Sequence, residues 1–296
     1  MKKVLITGIS GFLGYHLVEE CLGRGWTVLG VDKRPLPISH DQQFEFSDRQ
    51  YFRFFQVDVN DLKFRDLMGI DYVIHLAWRT NIPDCQRHPV DSTRDNIDMS
   101  MHLLEVAKEA GVKKFLFPST ASLYGNNPTP WTEDMTPDPI EPYSWQKLSI
   151  EYACKMYAKN GLPTEIFRFF QVFGEYQRED TALAAFMRAK ANGQAVTLTE
   201  TVAQSSFRSG QRDFIYAGDL AQAVCLVAEK GEGKGEVYNV ATGQCHTMEE
   251  VAQALEAEVK WIPRRPYEVE RHEGNIDKLK ALGWEPKTEV TQWLKK

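Results

Sequence analysis

Two side chains one helical turn apart, Tyr143 and Lys147 in the run YSWQK, could move a proton together. A helix stacks residues of this spacing on one face. A free phenol has a pKa near ~10 and is a poor base at neutral pH. An ammonium beside it stabilises the phenolate and lowers that value. The same spacing also arises between solvated neighbours on any surface helix. Chemistry therefore needs a setting that would use the pair.

TGISGFLG supplies a candidate setting by placing Gly8, Gly11 and Gly14 after the β-branched run Val4–Thr7. The helix-like FLGYHLVEECLGRG follows at once. Glycine is needed where the backbone turns tightly and where a diphosphate approaches a helix N-terminus with no Cβ in the way. A glycine turn between a strand and a helix is the context of a dinucleotide site. Asp32 ends the next strand, TVLGVD, near the ~20-residue offset of a carboxylate that binds ribose hydroxyls. That acid favours NAD over NADP, whose 2′-phosphate would meet a carboxylate. Lys33 and Arg34 follow directly and offset part of the repulsion, which keeps NADP open. Asp58, after the third strand, either meets the adenine or caps the next helix.

The elements that must position these residues alternate. FRFFQVDV and DYVIHLAW read as strands with DLKFRDLM a helix between them. NIDMSMHLLEVAKEAG is an amphipathic helix with a glycine stop, and KFLFPST a strand. After the helix EYACKMYAKNGLP, TEIFRFFQVFG reads as one more strand. Such alternation predicts an α/β fold, a Rossmann-type doubly wound parallel sheet. Beyond Gly174 it loosens. ALAAFMRAKANG, DLAQAVCLVAEKG and TMEEVAQALEAE read as helices, EVYNVAT as a strand and TETVAQSSFRSGQ as a loop. The expected division is a dinucleotide-binding domain over 1–173 plus about 212–242, and a smaller α/β substrate-binding lobe over 174–211 and 243–296.

Composition narrows the function. A net charge of −6 argues against nucleic acid as the main partner. No apolar stretch is long enough to span a bilayer, and the start MKKVLITG lacks a signal-peptide core, which points to the cytoplasm. The 5 cysteines are scattered with no CxxC pair, so neither a disulfide framework nor a metal site is expected.

Taken in order, TGISGFLG, HLAW (for the usual HLAA), Asn96 opening a helix, KKFLFPSTASLYG, YSWQK, RFFQVFG, RDFIYAGDLA, VYNVATG, RRPYE and LGWEP span nearly the whole chain. This ordered set resembles the extended short-chain dehydrogenase/reductase family, and within it the nucleotide-sugar epimerases and dehydratases. The resemblance implies catalytic roles for Thr120, Tyr143 and Lys147. It implies cofactor contacts from Gly8, Gly11, Phe12, Leu13, Gly14, Asp32, Lys33, Asp58, Val59, Leu76, Ala77, Trp78, Asn96, Tyr143, Lys147 and Phe170. Thr120, Ser122, Gln171, Arg212 and Arg265 would meet a nucleotide-diphosphate sugar, the arginines on its diphosphate. Arg212 has a second reading, a surface pair with Asp213 or Asp219. Trp78 reads as pocket wall and His75 as a buried, hydrogen-bonded histidine. A homodimer joined through the helices carrying Asn96–Lys108 and Ser144–Lys159 is also implied.

Departures from the family pattern are equally informative. Where its 4,6-dehydratases follow the hydroxyl residue with Asp and Glu, this chain has Ala121 and Ser122, which cannot expel water at neutral pH. The glutamate common in sugar-acid decarboxylases is missing too. What remains needs only Thr, Tyr, Lys and a nicotinamide. A 4-epimerase with NAD is expected, a 4-keto sugar reductase with NAD(P)H is the alternative, and a non-catalytic dinucleotide-sensing module would have no use for Thr120, Tyr143 and Lys147 together. Gln171 replaces the usual asparagine of NVYGP, which alters how the sugar or its diphosphate would sit.

Overall fold

Short aliphatic runs become buried parallel strands in the computed structural model, which describes residues 1–37, 50–201, 205–264 and 270–295. The first six strands are β1 (Lys3–Thr7), β2 (Thr27–Asp32), β3 (Phe52–Gln56), β4 (Tyr72–His75), β5 (Lys114–Thr120) and β6 (Thr164–Phe169), of which β3, at the sheet edge, stays partly exposed. β7 (Gln171–Phe173), β8 (Val196–Thr199) and β9 (Gln211–Tyr216) precede β10 (Lys234–Val240). Seven of these form one sheet in the order β10-β6-β5-β4-β1-β2-β3, every pair parallel. Every residue of β4, β5 and β6 is buried, as a parallel sheet covered on both faces requires.

The helices are α1 (Phe12–Gly23), α2 (Ile82–Arg87), α3 (Pro89–Glu109), α4 (Pro142–Lys159), α5 (Ala182–Ala191), α6 (Ala217–Lys230) and α7 (Met248–Ala254), of which α1, α3, α4 and α6 cover the large sheet. Leu17, Val18 and Cys21 of α1 share a core with Leu220, Val224 and Cys225 of α6. Leu103 and Leu104 of α3 pack with Ile150 and Tyr157 of α4 in a second core. The sheet order reverses between β1 and β4, and a crevice outside the carboxyl ends of such strands is where α/β sheets bind ligands.

Several elements differ from the sequence reading. DLKFRDLM forms no α-helix; 3₁₀ turns span Val59–Asp61 and Phe64–Leu67, with Lys63 extended between them. Asp58 accepts from the Asn60 N–H, and Asp66 from the Lys63 N–H. Such local bonds compete with a continuous helix. α3 begins at Pro89, whose ring suits a first helical position, so Asn96 sits inside the helix rather than opening it. TEIFRFFQVFG breaks at Phe170: β6 stays in the large sheet, while β7 pairs with β9.

That pairing builds the second lobe. β9 lies between β11 (Cys245–Thr247) and β13 (Arg271–His272), and β8 pairs with β12 (Val259–Ile262). Phe173, Leu183, Phe186, Leu198, Phe214 and Val251 form its core. Gln171–Phe173 and Gln211–Tyr216 thus belong to the second sheet, whereas Ile276, Leu279 and Trp284 pack with α1 and α6. Among the described residues no helix is long and apolar enough to cross a membrane, and no His/Cys/Asp/Glu cluster could hold a metal.

Candidate active site

The glycine turn is a cradle that side chains would fill. Gly8 has φ +69°, and a Cβ there would lie 2.5 Å from the Ala77 nitrogen. A Cβ on Gly14 would collide with the Ile9 carbonyl. Gly11 precedes α1 without any side-chain cap, so the first N–H groups of that helix, opened by Phe12 and Leu13, are left to an anion. Asp32 is buried at the end of β2, accepting from Ser10 N–H at 3.1 Å and Arg34 N–H at 2.9 Å. Its carboxylate therefore stands beside the turn, with exposed Lys33 following. These features fit a dinucleotide.

Other expected cofactor contacts cluster nearby. Leu76 N–H donates to Thr7 O and Ala77 N–H to Thr7 Oγ1, which presses this loop against the glycine turn. Val59 is buried in its 3₁₀ turn, and Asp58 takes the capping role. His75 is fully buried, with its ring nitrogens 2.8 Å from Thr7 Oγ1 and 3.0 Å from Ser100 Oγ. Burial, with help from the Lys147 charge, pushes its pKa down to about 3. It is a neutral lock between strand and helix. Phe170 is buried where the chain changes sheets, against Trp131.

Pro142 starts α4, and Glu141 caps it by accepting from the Tyr143 and Ser144 N–H groups at 2.7 and 2.8 Å. This turns Tyr143 toward Thr120, which ends β5 and acts to lower the phenol's pKa. Ser122 N–H and Oγ both lie 3.2 Å from Thr120 Oγ1. Burial raises the Tyr143 pKa to about 12, opposed by Thr120 and by the Arg178 charge. The Lys147 ammonium donates to Pro118 O at 2.6 Å and stands 3.8 Å from the centre of the Trp78 ring, and burial pushes its pKa well below the ordinary value. At about 12 the phenol is protonated at neutral pH; its lowering is expected from Lys147 together with the positive end of bound NAD⁺.

Asn96 is buried in α3. Its Oδ1 accepts from Arg79 N–H at 2.8 Å, and its Nδ2 donates to Arg79 O and Gln146 Oε1. Both amide hydrogens go to protein, so Asn96 clamps the loop after β4 to α4. Gln171 is half-buried in β7, in the second lobe. Arg212 on β9 reaches Gln211 O at 2.8 Å and Glu270 O at 3.2 Å. Asp213 accepts instead from Thr242, Gly243 and Gly274, and Asp219 from Lys287 and Thr288, so the surface pair for Arg212 is not formed. Arg265 lies outside the described residues.

Arg178 escaped the sequence reading. It follows β7, bonds Asp180 at 2.9 Å and also bonds Thr80, while Asn81 reaches Asp180 at 3.2 Å. The loops after β4 and β7 are thus joined, and the Arg178 charge is felt at Tyr143. No local pattern could signal a contact across 98 residues.

Sheet, glycine turn and Tyr–Lys helix together define an enzyme of the extended short-chain dehydrogenase/reductase class. Residues 4–241 match the model of the NAD dependent epimerase/dehydratase family, and the chain belongs to that family. It is similar to mouse dTDP-D-glucose 4,6-dehydratase, 27% identical over 316 residues covering 100% of this chain and 87% of the relative. Among solved structures it is similar to the UDP-N-acetylglucosamine 4-epimerase of Methanobrevibacter ruminantium in complex with UDP-N-acetylmuramic acid, with TM-score 0.88, 28% identity and coverage of 99% and 96% of the two chains. The Thermus thermophilus UDP-glucose 4-epimerase complex with NAD gives TM-score 0.84, 30% identity and the same coverage.

Proposed function

We propose that the chain is a nucleotide-sugar 4-epimerase that retains NAD through its cycle. The observation that carries this reading is that Thr120 and Tyr143 meet at the end of β5 while the next two positions hold Ala121 and Ser122 rather than an acid and a base. Gly8, Gly11 and Gly14 would cradle the diphosphate of NAD, and Asp32 would hold its ribose. Bound there, NAD supplies a hydride acceptor that can return the hydride to the sugar. Tyr143 takes the proton of the sugar hydroxyl and gives it back, and Thr120 holds the same oxygen. Lys147 and Arg178 supply the positive charge that a phenolate needs. Gln171 and Arg212 reach the sugar diphosphate from the second lobe. NAD and UDP-sugars bound to the solved relatives support this assignment.

Arg34 Nε lies 3.5 Å from Asp32, which favours a second reading. A partly neutralised carboxylate would tolerate a 2′-phosphate, as an NADPH-dependent 4-keto sugar reductase requires. Purifying the protein without added cofactor and identifying the dinucleotide released on denaturation separates the two. Near-stoichiometric NAD, followed by interconversion of UDP-glucose and UDP-galactose or of their uronates, is expected. An empty site that takes up NADPH and reduces a 4-keto sugar nucleotide would establish the reductase instead.

The homodimer belongs to the same proposal. Trp145, Tyr152 and Met156 are exposed along one face of α4, and Val90 and Ile140 lie exposed beside the start of that helix. Such a contiguous apolar stripe suits a second copy of itself. The double substitution Trp145→Glu, Tyr152→Glu is expected to sediment as a monomer where the parent is a dimer. A parent that sediments as a monomer refutes the pairing.

A further inference from the structure

Lys147 is held by more than its helix. Its ammonium stands 3.8 Å from the centre of the Trp78 ring and 4.8 Å from that of Phe117. The two rings meet edge to face 5.7 Å apart, and Pro118 O closes the cage from β5. The charged groups facing this ammonium leave it little help. His75 on β4 is neutral, Glu151 on α4 is already paired with Arg168, and Cys154, also on α4, has its thiol pushed up by burial. Tyr143, one turn away on the same helix, is protonated. A buried ammonium without a free counter-ion costs much, and an aromatic face offsets part of that cost.

We infer that Trp78 is the positioning residue of Lys147: its ring holds the ammonium in one place at the carboxyl ends of β4 and β5. This rests on the role proposed for Lys147 above. The loop after β4 thereby takes part in the chemistry through a side chain that touches the lysine rather than the sugar.

The test follows the ¹³Cε signal of Lys147 against pH in the full chain, with its assignment fixed by Lys147→Met. Trp78→Leu is expected to lower the Lys147 pKa further, by about one unit, and Trp78→Phe to recover at least half of that shift. NAD affinity in a direct titration should fall about tenfold in the leucine variant and much less in the phenylalanine variant. A leucine variant that titrates like the parent, or a phenylalanine variant no better than leucine, overturns the inference. Should Trp78→Leu fail to fold, a ring-fluorinated tryptophan at 78 keeps the shape and weakens the ring's negative face. The same downward shift is then expected, and an unmoved titration is fatal. Neither readout uses a sugar, so a failed sugar screen would sink the epimerase reading and leave this result standing.

Discussion

Tyr143→Phe is expected to lower turnover by about 10² to 10⁴, the usual worth of a positioned acid–base group, while NAD binds within a few-fold of the parent. The substitution removes one oxygen and little else. The N-terminus of α4 is held by Glu141 on the main-chain N–H groups of Tyr143 and Ser144, so the helix start does not depend on the phenol. The ring is expected to keep its place, and the hydroxyl beside Thr120 is what disappears. The proton balance makes the effect large. Burial holds the phenol at about 12, so the free enzyme carries it protonated at neutral pH, and a base forms only when positive charge arrives beside it. Arg178 supplies some of that charge. Without the hydroxyl no group at this spot can accept a proton and return it. Single-turnover reduction of bound NAD by a UDP-sugar, read at the nicotinamide absorbance, isolates this step from product release. A phenylalanine variant that reduces NAD at the parental rate would refute the assignment.

Spacing made parts of this site legible. Gly8, Gly11, Gly14 and Asp32 lie within one strand–helix–strand unit, where local geometry sets which backbone approaches what. Tyr143 and Lys147 needed only the helical period. The alternation that predicted the large sheet is also a local signal, repeated until its meaning was plain. What sequence could not show is where the Lys147 ammonium goes. The same four-residue spacing serves a lysine turned toward the phenol or one seated on Trp78, and tertiary packing of β5 and the loop after β4 against α4 chooses between them. Arg178 acts on Tyr143 through its charge only because the chain leaves the large sheet at Phe170, within a run that reads as one strand into β7. The strands β11 and β13 are three and two residues long, too short for any period to register. DLKFRDLM shows the opposite failure, with helix-forming composition undone by Asp58 and Asp66 bonding to nearby main chain.

Arg168→Met should destabilise the fold by about 3–5 kcal/mol, because it leaves a buried carboxylate without its partner. Arg168 on β6 is almost wholly buried, and its Nε and Nη2 bond the two oxygens of Glu151 at 3.0 and 2.8 Å. Its guanidinium carbon lies 4.8 Å from the centre of the Tyr124 ring, and Glu151 holds its pKa above the ordinary value against the cost of burial. Ser119 donates to the same Glu151 oxygen at 2.6 Å. The pair therefore joins β6, β5 and α4, one residue before Thr120 and one turn after Lys147. Methionine fills similar volume, so the loss should be electrostatic rather than a cavity. A double-mutant cycle checks that cause: Arg168→Met with Glu151→Met removes both charges and should recover most of the stability lost in the single variant. Urea unfolding gives both numbers. If the double variant is no more stable than Arg168→Met alone, the pair's worth lies in packing against Tyr124. The same cycle read in turnover tells whether the pair also sets the catalytic geometry. Glu151→Met, Arg168→Met would then fold stably yet lose activity, because Ser119 no longer fixes the end of β5 and Thr120 drifts from the phenol.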